Sequence, residues 1–332
     1  MQNRVNHSHM LETLQAATAM LVLRAWLPKE IIANILSTPN DFKIEAKDLP
    51  ITRNPLNKGA FGEVYLGSWK GKKVAVKKPI KNNRNPGASG AEEIFQNEKE
   101  MMIKIAQLPN YNQYIVEFHG YVPFRKNENK IPRALVIEYM DGGNLEGYIN
   151  SPNYNLLDSL RYSRDAVCGL EFLHTNKLIH RDMKVENIMI QSNHAKLIDF
   201  GFTITQDNSV LAHLEGTPEY LAPELLASSP HEYTTQADMY AFAMVLCFLF
   251  TRRGLYNDLG ISDVQHLFQL VYNGTRPFIP NNIVPPGVVD LITTNWMGSP
   301  VHRYNASTVK TKLEKLIEIE EKKNIPSNTL SI

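Results

Sequence analysis

The segment IHRDMKVENIMI, residues 179–190, concentrates side chains whose types suit chemistry on a hydroxyl group and a phosphate. Asp182 is a carboxylate that can accept a proton from an incoming hydroxyl group. Lys184 can neutralise the charge of a phosphoryl group during its transfer. Asn187 offers an amide oxygen to a divalent cation, and Asp199 in LIDFG offers the ionised oxygen that Mg²⁺ prefers. Each alone could be an exposed loop residue, but their order and spacing together predict a phosphate-transfer site.

A glycine-bearing stretch near the start of the chain is typical of a loop that binds phosphates. In LNKGAFGEVYLG, residues 56–67, Gly59 and Gly62 would let backbone N–H groups approach a phosphate closely. Asn57 stands where a third glycine would complete the pattern. Because asparagine tolerates left-handed backbone better than most residues, we expect altered nucleotide affinity at most. An ordinary hairpin could carry the same glycines, so other phosphate-binding residues must accompany this loop before it predicts a nucleotide site.

A lysine and a glutamate follow this loop at positions where they can pair. Lys77 lies in the strand that carries VAVK, on the same face as the small apolar Ala75, and its ammonium can reach phosphate oxygens. Glu98, within FQNEKEMM, can pair with Lys77 and hold it in place. The alternative is a solvated surface pair, which would contribute little to stability.

Two kinds of element must position these residues. Residues 63–69 and 72–80 alternate like the strands of an antiparallel hairpin around a turn at Lys70 and Gly71. A helix is predicted over 91–108, and further strands over 114–122 and 134–140. Helices dominate after the break at 141–143. The sequence therefore predicts an α+β fold, with a small antiparallel β-sheet lobe that carries one main helix and a larger, mostly helical lobe.

From about residue 56 to 303, the chain resembles the eukaryotic-type protein kinases of the serine/threonine class. The matching motifs are the glycine-rich loop, VAVK, HRDMKVEN, DFG and GTPEYLAPE, the last of which resembles the end of an activation segment. Asp238 resembles the buried helix acid that supports the catalytic loop, and Arg303 the arginine that pairs with Glu224. The stretch GSWKGKKVAVKK is similar to the tyrosine-kinase-like group.

The resemblance implies a bilobal kinase fold, ATP and Mg²⁺ as cofactors, and a protein substrate. It implies that Asp182, Lys184 and Asn187 are catalytic and that Asn187 and Asp199 hold the metal. The implied nucleotide-binding residues are Gly59 and Gly62 of the loop, Lys77 with its partner Glu98, Leu56, Val64, Ala75 and Met189 around adenine, and the backbone of Glu138 and Met140 at the adenine edge, with Ile137 beside the pocket.

The same resemblance also implies which hydroxyl groups accept phosphate and how the activation segment is regulated. The position of Lys184 in the catalytic loop and the pattern of GTPEYLAPE favour serine and threonine over tyrosine as acceptors. Thr217 is expected to contact Lys184 and Asp182. Arg181 is typical of kinases whose activation segment is ordered by phosphorylation, for which the available hydroxyls are Thr203, Thr205 and Ser209. Asp207 and Glu215 are alternatives that could pair Arg181 without phosphate. An apolar column is also implied, consisting of Met102, Phe118, His180 and Phe200.

Composition narrows the remaining possibilities. The 332 residues carry a formal net charge of +1, which gives no reason to expect nucleic acid as a partner. The longest apolar run, residues 240–250, is shorter than the roughly 20 residues that span a bilayer, so it predicts a core helix and no membrane span. Cys168 and Cys247 are expected to be buried free thiols. The cytoplasm is the expected compartment.

The predicted division is a helical extension over 1–47, a small lobe over 48–140, a large lobe over 141–323 and a flexible tail over 324–332. The extension has two interpretations, a partner-binding motif similar to the start of an F-box and a helical pair that packs on the small lobe. The acidic C-terminal end is similar to export signals of some bacterial effectors, in which case a host cytosol would be the compartment, although an exposed charged helix end is favoured. Two rival functions remain: a pseudokinase or scaffold, and a small-molecule phosphotransferase.

Overall fold

The computed structural model describes residues 39–59, 62–79, 89–123, 133–211, 214–227 and 232–323. Residues 1–38 of the expected helical extension and the tail from 324 lie outside the described residues. The described part has two lobes, a small one built on a β-sheet and a larger helical one. This arrangement confirms the predicted α+β, bilobal fold class.

The small lobe is a five-stranded antiparallel sheet of β1 (Asn57–Lys58), β2 (Gly62–Trp69), β3 (Lys72–Pro79), β4 (Phe118–Val122) and β5 (Ala134–Glu138). The strands lie in the order β1–β2–β3–β5–β4. The turn between β2 and β3 has positive φ angles at Lys70 (48°) and Gly71 (77°), as a tight two-residue hairpin requires. The alternation of β-branched and polar residues in this hairpin is what the sequence predicted.

Helix α1 (Ser89–Ala106) packs on this sheet and is the main helix of the small lobe. Its face toward the sheet carries Phe95, Met102 and Ile105, all buried. The opposite side of the sheet buries a second cluster that includes Val74, Val76, Ile44 and Leu49. Ile44 lies in the part of the chain that the sequence division places before the small lobe.

The large lobe is built on helices whose apolar faces bury one another. These are α2 (Leu145–Tyr148), α3 (Leu156–Thr175), α4 (Thr235–Thr251), α5 (Val264–Tyr272), α6 (Pro286–Asn295) and α7 (Ala306–Lys323). Helix α4 is apolar on all sides and nearly all of its residues are buried, including Cys247, which is how a helix at the centre of a lobe is expected to look. Among the described residues, no helix is long and apolar enough to cross a membrane.

Short strands of the large lobe bring the polar residues toward the small lobe. They are β6 (Leu178–Ile179), β7 (Ile188–Gln191), β8 (His194–Leu197) and β9 (Ile204–Thr205), paired β6–β9 and β7–β8. The chain that leaves β5 is joined to β7, since the Gly142 N–H donates to the Ile190 carbonyl at 3.1 Å. The segment 179–199 therefore lies against the connection between the two lobes.

Candidate active site

The loop that carries Asp182 is held from below by a buried carboxylate of α4. Asp238, only 1% exposed, accepts the backbone N–H groups of His180 and Arg181, both at 2.9 Å. Its second contact is the His174 ring, with Nε2 2.8 Å away. Burial alone would raise the pKa of Asp238, but the hydrogen bond and charge of His174 lower it, so the group is held as a carboxylate. The predicted support of this loop by Asp238 is confirmed.

Three side chains converge on Asp182. Thr217 donates its hydroxyl to Asp182 Oδ1 at 2.9 Å, and Lys184 Nζ lies 2.9 Å from Oδ2. Lys184 also donates to the Thr217 hydroxyl at 2.9 Å. Asn187 Nδ2 donates to the Asp182 carbonyl at 2.7 Å and to Oδ2 at 2.9 Å. The contacts predicted for Thr217 are confirmed, and both carboxylate oxygens are fixed in direction.

A second cluster joins the two lobes through Lys77. Its Nζ lies 2.8 Å from both carboxylate oxygens of Glu98 and 3.0 Å from Asp199 Oδ1. Burial opposes the charged form of Lys77, but the charges of Asp199 and Glu98 raise its pKa above the ordinary value. Burial likewise would raise the pKa of Asp199, which its contacts with Lys77 and the Gly201 N–H lower instead. The predicted Lys77–Glu98 pair is present, and through Lys77 it places α1 close to Asp199 of the DFG motif.

The pKa of Glu98, unlike those of Lys77 and Asp199, shifts in the direction that burial favours. Burial, opposed by Lys77 and reinforced by the Asp199 charge, raises the Glu98 pKa from 4.5 to about 7. A folded-state pKa above the unfolded value contributes stability that is complete below 4.5 and is lost as pH rises through about 7.

We therefore expect Glu98→Gln to flatten the fall in the free energy of unfolding over this pH range. Urea unfolding at several pH values in metal-free buffer measures it. The control is Glu100→Gln, which changes an exposed glutamate of the same helix and should keep the wild-type slope. An unchanged slope in Glu98→Gln would contradict the assigned cause.

The oxygens of Asp199 and Asn187 suit a hard cation such as Mg²⁺. Asp199 is held ionised, and Asn187 directs its amide nitrogen to Asp182, which leaves its amide oxygen as the available ligand. Among the described residues, no group of three or more His, Cys, Asp or Glu side chains could hold a metal by itself. Mg²⁺ usually needs only one or two protein ligands besides water and phosphate oxygens, so this donor pair fits it.

The expected adenine-binding residues lie on one face of the sheet. Val64 is paired directly with Lys77 across β2 and β3, and Ala75 is paired with Ile137 across β3 and β5. Since alternate residues share a face, Val64, Ala75 and Ile137 face the same side as Lys77. Leu56, which is exposed, donates its N–H to the Val64 carbonyl at 2.7 Å.

The other residues expected around the nucleotide border the connection between the lobes. Glu138 ends β5, and Met140 is buried two residues later. Met189 on β7 is bridged to Asn144, which follows the connection. Residues from both lobes thus surround the same cleft.

The glycine-rich loop requires a glycine at position 62 but not at position 57. A Cβ atom added at Gly62 would lie 2.7 Å from the Lys78 carbonyl oxygen, so a larger residue would push β2 and β3 apart. Gly59 donates its N–H to the Gly62 carbonyl at 2.9 Å. Asn57 lies in β1 with extended backbone and without positive φ, and its side chain accepts the Lys58 N–H. Left-handed tolerance is therefore not the reason that asparagine fits here; the position needs no glycine geometry.

The activation segment corrects one expectation. Thr203 is fully buried and its hydroxyl lies 3.5 Å from the His180 carbonyl, so it is not an accessible phosphorylation site in this structure. Thr205 is partly buried in β9. The apolar column is present, with Met102, Phe118, His180 and Phe200 all buried and the rings of His180 and Phe200 5.4 Å apart.

Sequence reasoning missed two positioning contacts. Asn97 donates to the carbonyls of Gly201 at 2.8 Å and Thr203 at 3.0 Å, so α1 is tied to the start of the activation segment. Lys196 donates to Glu138 Oε2 at 2.7 Å, and that oxygen also accepts the Glu117 N–H at 3.2 Å. No local pattern marks either contact, since each joins residues far apart in sequence.

The fold and the site together define a two-lobed protein whose large lobe holds a carboxylate, that of Asp182, with both oxygens fixed in direction. The family model described as the protein kinase domain matches residues 52–313, which is most of the chain. The chain therefore belongs to the protein kinase domain family.

Several proteins with similar sequences are named as protein kinases. The "Probable serine/threonine-protein kinase drkA" of Dictyostelium discoideum is 33% identical over 80% of this chain and 39% of its own length. From Arabidopsis thaliana, "Serine/threonine/tyrosine-protein kinase HT1" is 30% identical over 80% of this chain and 66% of its length, and "Serine/threonine-protein kinase STY17" is 26% identical over 87% and 49%. The chain spans 25–39% of the length of the first three curated relatives that it matches. The similarity to tyrosine-kinase-like serine/threonine kinases, represented by HT1 and STY17, is confirmed.

Proposed function

We propose that this protein is a protein kinase that transfers the γ-phosphate of ATP, in the presence of Mg²⁺, to serine and threonine hydroxyls of protein substrates. The observation that carries the proposal is the fixed carboxylate of Asp182, with Thr217 on Oδ1 and Lys184 and Asn187 on Oδ2. A carboxylate whose two oxygens are both oriented is prepared to receive one hydroxyl from one direction.

Each residue of the cluster has a task in this proposal. Asp182 orients the acceptor hydroxyl and takes its proton, while Lys184 stabilises the negative charge of the phosphoryl group. Thr217, which contacts both, keeps them at a constant separation. Most of the catalysis is positioning and charge neutralisation, because phosphoryl transfer asks for little covalent help from the protein.

ATP supplies the phosphoryl group, and Mg²⁺ would neutralise charge on its phosphates. Asn187 and Asp199 would hold the metal, and Lys77, kept in place by Glu98, would bind the α- and β-phosphates. Gly59 and Gly62 would approach the phosphates, and Leu56, Val64, Ala75, Met189, Glu138 and Met140 would surround adenine. The contacts of Lys77 support these assignments. Its ammonium pairs with Glu98 of the small lobe and with Asp199 of the large lobe, so one lysine connects the residues assigned to the phosphates and to the metal.

Two alternatives are less well supported. A pseudokinase would be expected to lack Lys77, Asp182 or Asp199, and all three are present and engaged. A small-molecule phosphotransferase would not need the segment 214–227 fixed by the Arg303–Glu224 pair, with Nη2 and Oε2 2.6 Å apart. We further propose the cytoplasm as the compartment and a protein partner for the N-terminal extension.

The acceptor class is tested with γ-labelled ATP and Mg²⁺ by offering a generic protein substrate and a mixture of small hydroxyl compounds in separate reactions. Mass spectrometry then locates the phosphate. We expect phosphoserine and phosphothreonine in the protein and no labelled small molecule. Label in the small compounds alone would favour the phosphotransferase, and phosphotyrosine alone would overturn the acceptor class.

A further inference from the structure

Tyr233 lies just before α4, outside the motifs that the proposed transfer uses, yet its hydroxyl is fully engaged. Its side chain is buried, with the residue 1% exposed. The hydroxyl accepts the Glu215 N–H at 2.8 Å and donates to the Glu215 carbonyl at 2.9 Å. One tyrosine therefore satisfies both backbone groups of a single residue in the activation segment, as a neighbouring strand would.

The ring of Tyr233 also contacts the catalytic loop. The guanidinium carbon of Arg181 lies 4.1 Å from the ring centroid, close enough for a cation–π contact. Arg181 directly precedes Asp182 and has a positive φ of 68°, a conformation that costs energy and must be maintained by its surroundings. The same tyrosine thus touches the activation segment with its hydroxyl and the catalytic loop with its ring.

The backbone next to Glu215 depends on this close approach. Gly216 has a φ of 118°, and a Cβ atom added there would lie 2.8 Å from the Arg181 carbonyl oxygen. The two segments are therefore in backbone contact at Gly216, and any outward movement of Glu215 would carry Gly216 and Thr217 with it. Thr217 is the residue whose hydroxyl bonds both Asp182 and Lys184.

We propose that Tyr233 is a positioning residue that, by holding Glu215 with its hydroxyl and Arg181 with its ring, fixes Thr217 against Asp182. The inference rests on the proposed kinase function and adds a residue to it. Loss of the hydroxyl should leave the nucleotide site intact, since Tyr233 contacts no residue assigned to ATP, and should reduce the rate of transfer.

The test compares Tyr233→Phe with Tyr148→Phe. Tyr148 makes the same pair of contacts with one residue, because its hydroxyl accepts the Asn155 N–H at 3.1 Å and donates to the Asn155 carbonyl at 3.4 Å, in a part of the large lobe outside the site. We expect Tyr233→Phe to lower kcat about tenfold with the KM for ATP unchanged, which corresponds to about 1.4 kcal/mol in the barrier. Tyr148→Phe should keep the wild-type kcat. Equal kcat in Tyr233→Phe and wild type would overturn the inference.

Hydrogen exchange gives a readout that does not need activity. The Glu215 amide should be protected in wild type and in Tyr148→Phe, and should exchange faster in Tyr233→Phe, because the hydroxyl is its acceptor. If wild type transfers no more phosphate than Asp182→Asn, the proposed function fails. The exchange rate of the Glu215 amide still tests whether the Tyr233 hydroxyl holds Glu215. Unchanged protection of Glu215 in Tyr233→Phe would overturn the positioning role in either case.

Discussion

Asp182→Asn is expected to lower kcat by about 10²–10⁴-fold, the usual contribution of a general base, while nucleotide affinity stays at the wild-type level. An amide has nearly the shape of the carboxylate but cannot take the proton of the acceptor hydroxyl. Asp182 is bonded to Thr217, Lys184 and Asn187, and not to Lys77 or Glu98, so the nucleotide side of the cleft should be undisturbed. Steady-state kinetics on a protein substrate and equilibrium binding of ATP measure the two quantities.

The matched control for this variant is Asp290→Asn. Asp290 is a half-exposed aspartate that pairs with Lys312 on the surface, with side chains 48% and 38% exposed. The control should keep the wild-type kcat. If Asp182→Asn also kept the wild-type kcat, Asp182 would not be the base; if it lost ATP binding as well, the effect would not be confined to the acceptor side.

Arg303→Met is expected to give the largest loss of stability, about 3–5 kcal/mol in the free energy of unfolding, as is typical when one partner of a buried ion pair is removed. The Arg303 side chain is fully buried. It donates to both oxygens of Glu224, at 2.7 and 2.6 Å, and to the carbonyls of Met297, Gln236 and Gly298. Methionine would fill part of the space but would remove both bonds to Glu224 and leave that carboxylate without its cation. Urea unfolding at constant pH measures the change.

Arg161→Met controls for the loss of an arginine as such. Arg161 pairs with Asp158 and Glu321, but its side chain is 38% exposed, and such surface pairs usually contribute about 0.2–1 kcal/mol. We expect the control to be near wild type in stability. Equal destabilisation by both substitutions would contradict the strut that we assign to Arg303 and Glu224.

Much of the candidate site could be predicted because its chemistry restricts residue type and spacing at once. Asp182, Lys184 and Asn187 lie within one short loop, and a strand carrying Lys77 and a helix carrying Glu98 follow from periodicity and charge. The structure brings these residues to the distances that the pattern requires. Local sequence could not predict how the site is held. Nothing in the local sequence distinguishes Tyr233 or Asn97 from other aromatic or polar residues. Their roles follow from the fold, which places Glu215 beside Tyr233 and Gly201 beside Asn97.

Two positions show where local rules were misleading. For Asn57 the sequence predicts tolerance of left-handed backbone as the relevant property, but the structure gives the residue extended backbone, because its pairing with Val64 determines its conformation. The polar side chain of Thr203 and its place near DFG predict an accessible hydroxyl, but packing against the catalytic loop buries it. In both cases a tertiary contact, and not the residue's own preference, decided the outcome.

The central claim is that this protein catalyses phosphate transfer to protein serine and threonine, and one assay tests it most directly. The initial rate of label incorporation from γ-labelled ATP into a protein substrate is measured with Mg²⁺ for wild type and for Asp182→Asn prepared in parallel. We predict a clear rate for wild type and a rate lower by about 10²–10⁴-fold for the variant. Incorporation by wild type no greater than by Asp182→Asn, with ATP bound equally by both, would contradict the account and indicate a pseudokinase.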